Sequence, residues 1–478
     1  MNGTTQVVRE PRDVIDIINR VGVSGAMSKL VIVLALGCTL LDGYDFSALG
    51  VGAPQVKAQF HLSSAMFGTT TAAIAIGAFI GALVGGYYVD KIGRIRMLSL
   101  DGVFFVVAAA GAAIAMNVYW LIICRFIMGL GVGLDFPVAL SFIAEYKGRK
   151  GRGAALTGWG VMFSVGVLLT YVVDIIAHAS GAGPSTWRIV LGFGAVPGLV
   201  VILGRYFWLQ ESPMWAASRG DLHAAAAILQ RSYGLPVQVD AAEKITGREP
   251  NPYSLRSYAA VFRRPYLRRT VLSSVIGLTQ SVEFFAVSFY LPVLTLKLFG
   301  GKFYPAVIGA MLLSAVVPVG TLIALKLVDR QSMRMLISVG YAGVVCALIV
   351  LGAGHGYLPL SGVVFFIVVF QFGHGFGPGT LGMTMAGMSY PTRIRGAGVG
   401  VSQGLLRVGS IIGFYLFPLL LAATGLGTAL LILLFAPVLG LAATLLIRWE
   451  PVGRDVDTES AEAVTPASAT AVPAEGSL

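Results

Sequence analysis

Carboxylates inside long apolar segments are the residues of this sequence best suited to chemistry. Asp42 and Asp45 lie three positions apart, so on a helix they occupy neighbouring faces. A carboxylate in a membrane costs free energy unless it faces a cavity or a partner, and one that meets water can take up and release a proton. We therefore expect proton exchange at Asp42 and Asp45. The alternative is a polar turn at the outer end of the helix or a structural pair with Arg125.

Arg407 is a cation in an apolar segment and favours the binding of an anion. Its guanidinium can hold a carboxylate or a phosphate through two parallel hydrogen bonds. The alternative is an ion pair with Glu283 or Asp135 in the unliganded protein, which a substrate anion could displace or bridge. Helical position adds further candidates for substrate contact: Glu283, Gln280, Tyr290, Gln403 and His374.

Membrane helices must position these residues, because the composition excludes an ordinary soluble domain. Hydrophobic residues make up 56% of the chain and charged residues 12%, against about 25% charged residues in soluble domains. Apolar windows of about 20 residues predict an all-α polytopic membrane protein with twelve transmembrane helices. They lie near 29–56, 66–89, 97–116, 119–143, 153–177, 187–209, 270–296, 304–328, 333–353, 360–386, 396–421 and 427–447.

The distribution of Lys and Arg predicts the orientation of the chain. We expect the protein in the inner (plasma) membrane. Basic residues are concentrated in alternate loops, which places both termini and the 210–269 loop in the cytoplasm. The net charge of +11 is therefore a topology signal. We expect anionic lipid headgroups as its partner, and no nucleic acid.

The spans divide into six and six around the 210–269 loop. Asp90-Lys91 is echoed by Asp329-Arg330 after a similar number of spans, which favours two pseudo-symmetric six-helix bundles with a substrate site between them. The predicted units are a cytoplasmic segment 1–28, bundles 29–209 and 270–448, a linker 210–269 and a disordered tail 449–478.

Two motifs resemble the major facilitator superfamily. Gly86-x-x-x-Asp90-Lys91-x-Gly93-Arg94 resembles the loop between its second and third helices, and Arg125 followed by spaced glycines is similar to its fourth helix. The resemblance covers about residues 28–448 and implies a carrier that alternates between conformations. We expect Arg125 to form a structural ion pair with a first-helix Asp. The residues expected to gate the cytoplasmic end are Asp90, Lys91, Gly93, Arg94, Glu145, Arg152, Asp329, Arg330 and Arg395.

Other motifs resemble two branches of that superfamily, the sugar porters and the proton:phosphate symporters. The run 210–215 is similar to the end of the sixth helix in both, and Asp135 lies in a stretch similar to the proton and substrate site of the phosphate symporters. That resemblance implies a proton role for Asp135 and places Arg407 where those symporters have an anion-binding Lys. Their seventh-helix acid would fall near Ala286, whereas this chain has Glu283 one turn earlier.

Taken together, the sequence predicts a secondary active transporter that takes up a small anionic or hydroxylated metabolite with protons. The alternatives are a sugar or polyol facilitator, a phosphate:proton symporter, an efflux antiporter and a transporter-like sensor. An enzyme is not expected, because the sequence has no nucleotide-binding loop and no nucleophile with an ordered base. We expect a monomer without cofactor, and neither a disulfide nor a metal site at Cys38, Cys124 and Cys346, which lack paired spacing.

Overall fold

The computed structural model of the chain describes residues 5–21, 26–147, 152–240, 259–454 and 456, and is built almost wholly from helices. Eleven helical segments in these residues are long and apolar enough to cross a membrane. The last of them, Ile394–Leu446, spans two predicted helices and has a break at Gly425, where φ is 78°. The twelve-helix fold predicted from the sequence is thereby confirmed.

The first bundle contains spans one to six. Its helices are Ala26–Ala35 with Gly37–Val51, Ser64–Ile92, Arg94–Ala113, Val118–Lys147, Arg152–Ala179, and Thr186–Phe193 with Ala195–Trp208. A short helix, Ala53–Gln59, follows the first span, which ends at Val51 rather than near residue 56 as predicted.

The second bundle contains spans seven to twelve and begins at Leu267, three residues before the predicted boundary. Its helices are Leu267–Val287 with Leu291–Leu298, Phe303–Ser314 with Val316–Leu327, Met333–Ala353, Leu360–Phe376 with Pro378–Ser389, Thr392–Leu433, and Phe435–Leu446. The tenth span breaks at Gly377, where φ is −119° and ψ is −104°. The ring of Pro378 disfavours helical backbone at the preceding residue, so the break is local in origin.

Glycines allow the helices of the first bundle to approach one another closely. A Cβ at Gly43 would collide with the carbonyl oxygen of Phe163, and one at Gly166 would collide with that of Leu40. The first and fifth spans therefore pack backbone against backbone, as small residues permit between membrane helices.

The effect of this packing can be measured by adding one methyl group at two positions of the fifth span. Gly166→Ala is expected to lower the melting temperature in detergent, because overpacking costs about 1–3 kcal/mol. Gly158→Ala is the matched control, since its Cβ would lie 3.5 Å from Leu36 Cδ1, an ordinary contact. Equal melting temperatures for the two variants would contradict the close approach.

The N-terminal segment and the linker, predicted as separate units, pack together at one end of the molecule, here called the linker end. Strand Gln6–Val8 pairs in parallel with strand Val237–Val239. Helices Pro11–Val21, Pro213–Ser218 and Leu222–Tyr233 join them around a small apolar core. Strands of three residues carry too little periodicity to be recognised in a sequence. The predicted tail lies outside the described residues from 457 onward.

Candidate functional site

A cavity with two adjoining lobes lies between the bundles. The Arg407 lobe, which includes Arg407, Gln403 and Gln280, has about 520 Å³ of empty space. The Gln371 lobe, which includes Gln371 and Ser288, has about 450 Å³. Both volumes include space that is open to solvent.

Aromatic rings form much of the wall of the Arg407 lobe. Phe136 and Trp159 come from the first bundle, and Phe284 and Phe285 from the second. Trp159 Nε1 is buried and has no hydrogen-bond partner among the described residues. The sequence did not predict that these aromatic residues line a cavity, because an aromatic residue in an apolar span can face either a cavity or lipid.

Four of the predicted substrate-contact residues line this lobe, namely Gln280, His374, Gln403 and Arg407. Both polar side-chain atoms of Gln403 are buried without a hydrogen-bond partner in the part of the chain that the structure describes. Since buried amides are normally paired, Gln403 is available to a ligand.

Arg407 lies beside Asp42 rather than beside Glu283 or Asp135, the partners expected from the sequence. Its Nη2 atom is 3.7 Å from Asp42 Oδ2, and both side chains are at most 4% exposed. Neither oxygen of Asp42 accepts a hydrogen bond from the described residues. The guanidinium also lies 5.2 Å from the ring centroid of Phe46 and 5.6 Å from that of Phe136, within cation–π range. The first and eleventh spans thus bring Asp42, predicted to exchange a proton, close to Arg407, predicted to bind an anion.

Arg125 contacts Asp45 through the main chain, not through the predicted ion pair. Its Nη1 atom donates to the Asp45 carbonyl oxygen at 2.6 Å. Within the described residues, both carboxylate oxygens of Asp45 lack a hydrogen-bond partner, as do Arg125 Nε and Nη2. The first span turns the Asp45 carbonyl, rather than its carboxylate, toward the fourth span. Asp45 remains a buried acid close to a buried cation.

Glu283 pairs with His374 on the opposite side of the cavity. His374 Nδ1 lies 3.3 Å from Glu283 Oε1, and the imidazole stacks on Phe284 at 4.4 Å between ring centroids. Glu283 Oε2 has no partner among the described side chains and backbone. His374 lies in the last turn of its helix, which ends at Phe376 because of the break at Gly377.

Asp135 belongs to a buried charge cluster whose other charged members the sequence reasoning did not select. Arg205 Nη2 lies 3.2 Å from Asp135 Oδ1, and Arg205 Nη1 lies 2.9 Å from Asp101 Oδ1. All three side chains are fully buried. The signal that could have found Asp101 and Arg205 was the one applied to Asp42, a charge placed within an apolar span.

The linker end carries the contacts of the predicted gate. Arg94 Nη2 lies 3.0 Å from Glu145 Oε1. The carboxylate of Glu211 accepts hydrogen bonds from the backbone N–H groups of Arg94 and Ile95, at 3.1 and 3.2 Å. Gly93 precedes them with φ of 104°, a conformation that favours glycine. The side chains of Asp90, Lys91 and Arg152 lie outside the described residues.

The remaining gate residues lie where the second bundle meets the first. Ala154 N–H donates a hydrogen bond to Asp329, and partial burial, the larger effect, raises the pKa of the Asp329 carboxyl. Arg395 Nε donates to the Tyr390 carbonyl oxygen at 3.2 Å. Arg330 is exposed. Among the described side chains of the predicted gate, Asp329 thus contacts the first bundle from the second.

Tyr290 lies at the opposite end, in an aromatic seal between the bundles rather than among the residues that line the two lobes. Its hydroxyl donates to the Phe414 carbonyl oxygen at 3.3 Å, and its ring is 6.3 Å from that of Phe67. The substrate role of Tyr290 stays a prediction, and in this conformation its hydroxyl is hydrogen-bonded to a backbone acceptor.

Comparison with known proteins gives a consistent family. The sequence profile of the "Sugar (and other) transporter" family matches residues 30–458. The inner membrane metabolite transport protein YgcS of Escherichia coli is 27% identical over 421 residues, which is 87% of this chain and 90% of YgcS. The glucose transporter GlcP of Staphylococcus epidermidis is 28% identical over 443 residues, 91% of this chain and 97% of GlcP.

The fold is also that of a solved carrier. The proton:xylose symporter XylE, solved with 6-bromo-6-deoxy-D-glucose, superposes with a TM-score of 0.76 at 21% identity, over 91% of this chain and 98% of XylE. The TM-score shows that the two chains share a fold.

Proposed function

This chain belongs to the sugar (and other) transporter family of the major facilitator superfamily, and on that premise we propose that it is a proton-coupled symporter for a small organic anion with an apolar body. It is a multi-pass inner-membrane transporter and not an enzyme. The observation that carries the proposal is the position of Arg407, which lines an aromatic cavity and lies 3.7 Å from the buried carboxylate of Asp42.

Competition between Asp42 and the substrate for Arg407 supplies the coupling. A substrate carboxylate at the guanidinium would bring two anions to one cation in a low-dielectric site, which is unfavourable. A proton on Asp42 removes the excess charge and frees Arg407 to hold the substrate through paired hydrogen bonds. One proton and one monovalent anion then cross together, so the loaded carrier gains no net charge.

The aromatic walls support an apolar substrate body. Phe136, Trp159 and Phe285 offer flat apolar faces, while Gln280 and Gln403 offer amide groups at the edge. Trp159 Nε1–H and the Gln403 amide can each bind a further oxygen of the ligand.

A sugar or polyol is the second candidate. It is supported by the name of the family, by the glucose transporter GlcP among the relatives and by the unpaired amide of Gln403, which suits a hydroxyl. In that case Arg407 and Asp42 would remain paired in the loaded state, and substrate affinity would depend little on Arg407.

The orientation proposed from the basic loops places both termini in the cytoplasm. The N-terminal strand, the linker and the residues after Leu446 share the linker end, which is compatible with that orientation. With the linker end inside, Asp329 and Glu145 would close the cytoplasmic side of the cavity.

A ligand screen with an Arg407 variant tests the substrate class. The purified protein is heated with aromatic acids, dicarboxylates, inorganic phosphate, sugars and polyols, and hits are titrated. We expect a carboxylate with an apolar body to bind, and Arg407→Gln to weaken it tenfold or more, roughly the contribution of one charged hydrogen bond.

Arg188→Gln is the matched control, because Arg188 donates to the Ala113 carbonyl oxygen away from the cavity. If a sugar binds equally well to the parent and to Arg407→Gln, the substrate is a sugar or polyol and not an organic anion. Binding without uptake into proteoliposomes would indicate a sensor.

A further inference from the structure

Arg205 is fixed at the centre of a buried network between spans one, three, four and six. It donates to the carbonyl oxygens of Leu34 and Ala35, each at 2.9 Å, and to that of Leu98. Its remaining contacts are the two carboxylates of Asp101 and Asp135. A guanidinium held by so many acceptors cannot swing away to serve another site.

The network has one cation and two acids. Carboxylate oxygens of Asp101 and Asp135 and the sulfur of Cys38 all lie within 4.8 Å of one another. Two carboxylates this close in a low-dielectric core repel each other, and one guanidinium balances only one of their two charges. A single proton held between them would balance the other.

The neighbouring groups leave room for that proton. Cys38 Sγ donates to Asp101 Oδ1 at 3.4 Å, and Thr39 Oγ1 donates to Asp135 Oδ2 at 3.5 Å. Asp101 Oδ2 is buried and has no hydrogen-bond partner in the described part of the chain. The charged and titratable groups that act on the pair from packed spans are Cys38 and Asp42 of the first, Arg205 of the sixth and Arg407 of the eleventh.

We propose that Asp101 and Asp135 share one exchangeable proton across Arg205, and that this pair is a second proton-binding site inside the first bundle. Asp135 acts electrostatically on Asp42 and on Arg407, so the charge of the pair influences the substrate site without touching substrate. When the pair releases its proton to water, the cluster gains one negative charge, which favours a proton on Asp42. The role of the pair in coupling rests on the proposed symport, whereas the presence of a shared proton does not depend on it.

Infrared spectroscopy of the purified protein tests the shared proton directly. We expect Asp101→Asn and Asp135→Asn each to remove the same carboxylic-acid C=O band, because in either variant the remaining carboxylate is neutralised by Arg205. A band lost in one variant only would assign the proton to a single residue, and bands unchanged in both would mean an ionised pair. Either result overturns the proposal. Should a variant fail to fold, the band is followed against pH in ¹³C-aspartate-labelled protein that carries Asp42→Asn and Asp45→Asn, which remove the other two candidates for proton exchange: a band that does not titrate there refutes an exchangeable proton.

Transport measurements then separate the coupling role from the site itself. In proteoliposomes with a one-unit pH gradient, we expect Asp101→Asn to slow the initial rate of proton-driven uptake and to flatten its pH profile, because the charge that acts on Asp42 then no longer changes with pH. If Asp101→Asn loses the infrared band but keeps the pH profile of the parent, the pair shares a proton that has no part in transport. That result would overturn only the coupling role of the pair. Absence of proton-driven uptake in the parent would instead contradict the proposed function.

Discussion

Replacement of Asp42 by Asn is expected to abolish accumulation driven by a pH gradient while exchange of substrate across the membrane continues. The amide has nearly the shape of the carboxyl but carries no charge, so Arg407 is free for the substrate anion at every pH. The carrier can then return and exchange without a proton. In proteoliposomes with a one-unit gradient, the accumulation ratio should fall from about tenfold for one coupled proton to one.

The charge balance of the proposed site adds a second readout. One proton with one monovalent anion moves no net charge, so a membrane potential alone should not drive uptake by the parent. Asp240→Asn is the control, because Asp240 is exposed and pairs with Arg9 at 3.2 Å outside the bundles. If Asp45→Asn loses accumulation and Asp42→Asn retains it, the coupling site is the Asp45 and Arg125 region, and the competition for Arg407 is refuted.

The positions of Asp42 and Arg407 show how far a sequence alone leads toward this site. Both stood out because a charge in an apolar span is costly and calls for a reason. Their mutual contact could not be predicted, because spacing along one helix fixes a face but not the partner helix. Arg407 was therefore assigned to Glu283 or Asp135, whereas the structure places it beside Asp42.

Arg205 and Asp101 show why the rest of the site was missed. Arg205 lies three residues from the end of its helix, where a charged side chain ordinarily reaches the headgroups, and Asp101 lies about two turns after the start of its helix. Tight packing buries them instead. A Cβ at Gly204 would lie 2.6 Å from Leu34 Cδ2, and one at Gly102 would lie 2.6 Å from Ile202 Cγ1. Whether such a charged side chain is buried thus depends on how closely the neighbouring spans approach. That distance cannot be predicted from the sequence of one span.

Replacement of Arg205 by Met is expected to cause the largest loss of stability of any single change considered. It leaves the negative charge of the Asp101 and Asp135 pair buried without its cation, and removing one partner of a buried ion pair costs roughly 3–5 kcal/mol. The melting temperature in detergent should fall sharply, and the yield of folded protein with it. Arg205→Lys should rescue only partly, because an ammonium cannot present the forked donors that reach two acids and three carbonyls.

The cause of that loss can be isolated by removing the orphaned charges as well. Asp101→Asn and Asp135→Asn in the Arg205→Met background replace both carboxylates by neutral amides, so most of the melting temperature should return. Arg334→Met is the matched control, since the Arg334 guanidinium donates to the Thr444 and Leu445 carbonyl oxygens and the acid next to it, half-buried Glu450, accepts from the Arg334 backbone N–H. A fall as large in Arg334→Met, or no recovery in the triple variant, would mean that the carbonyl contacts of Arg205 stabilise the bundle and that the two acids do not depend on it.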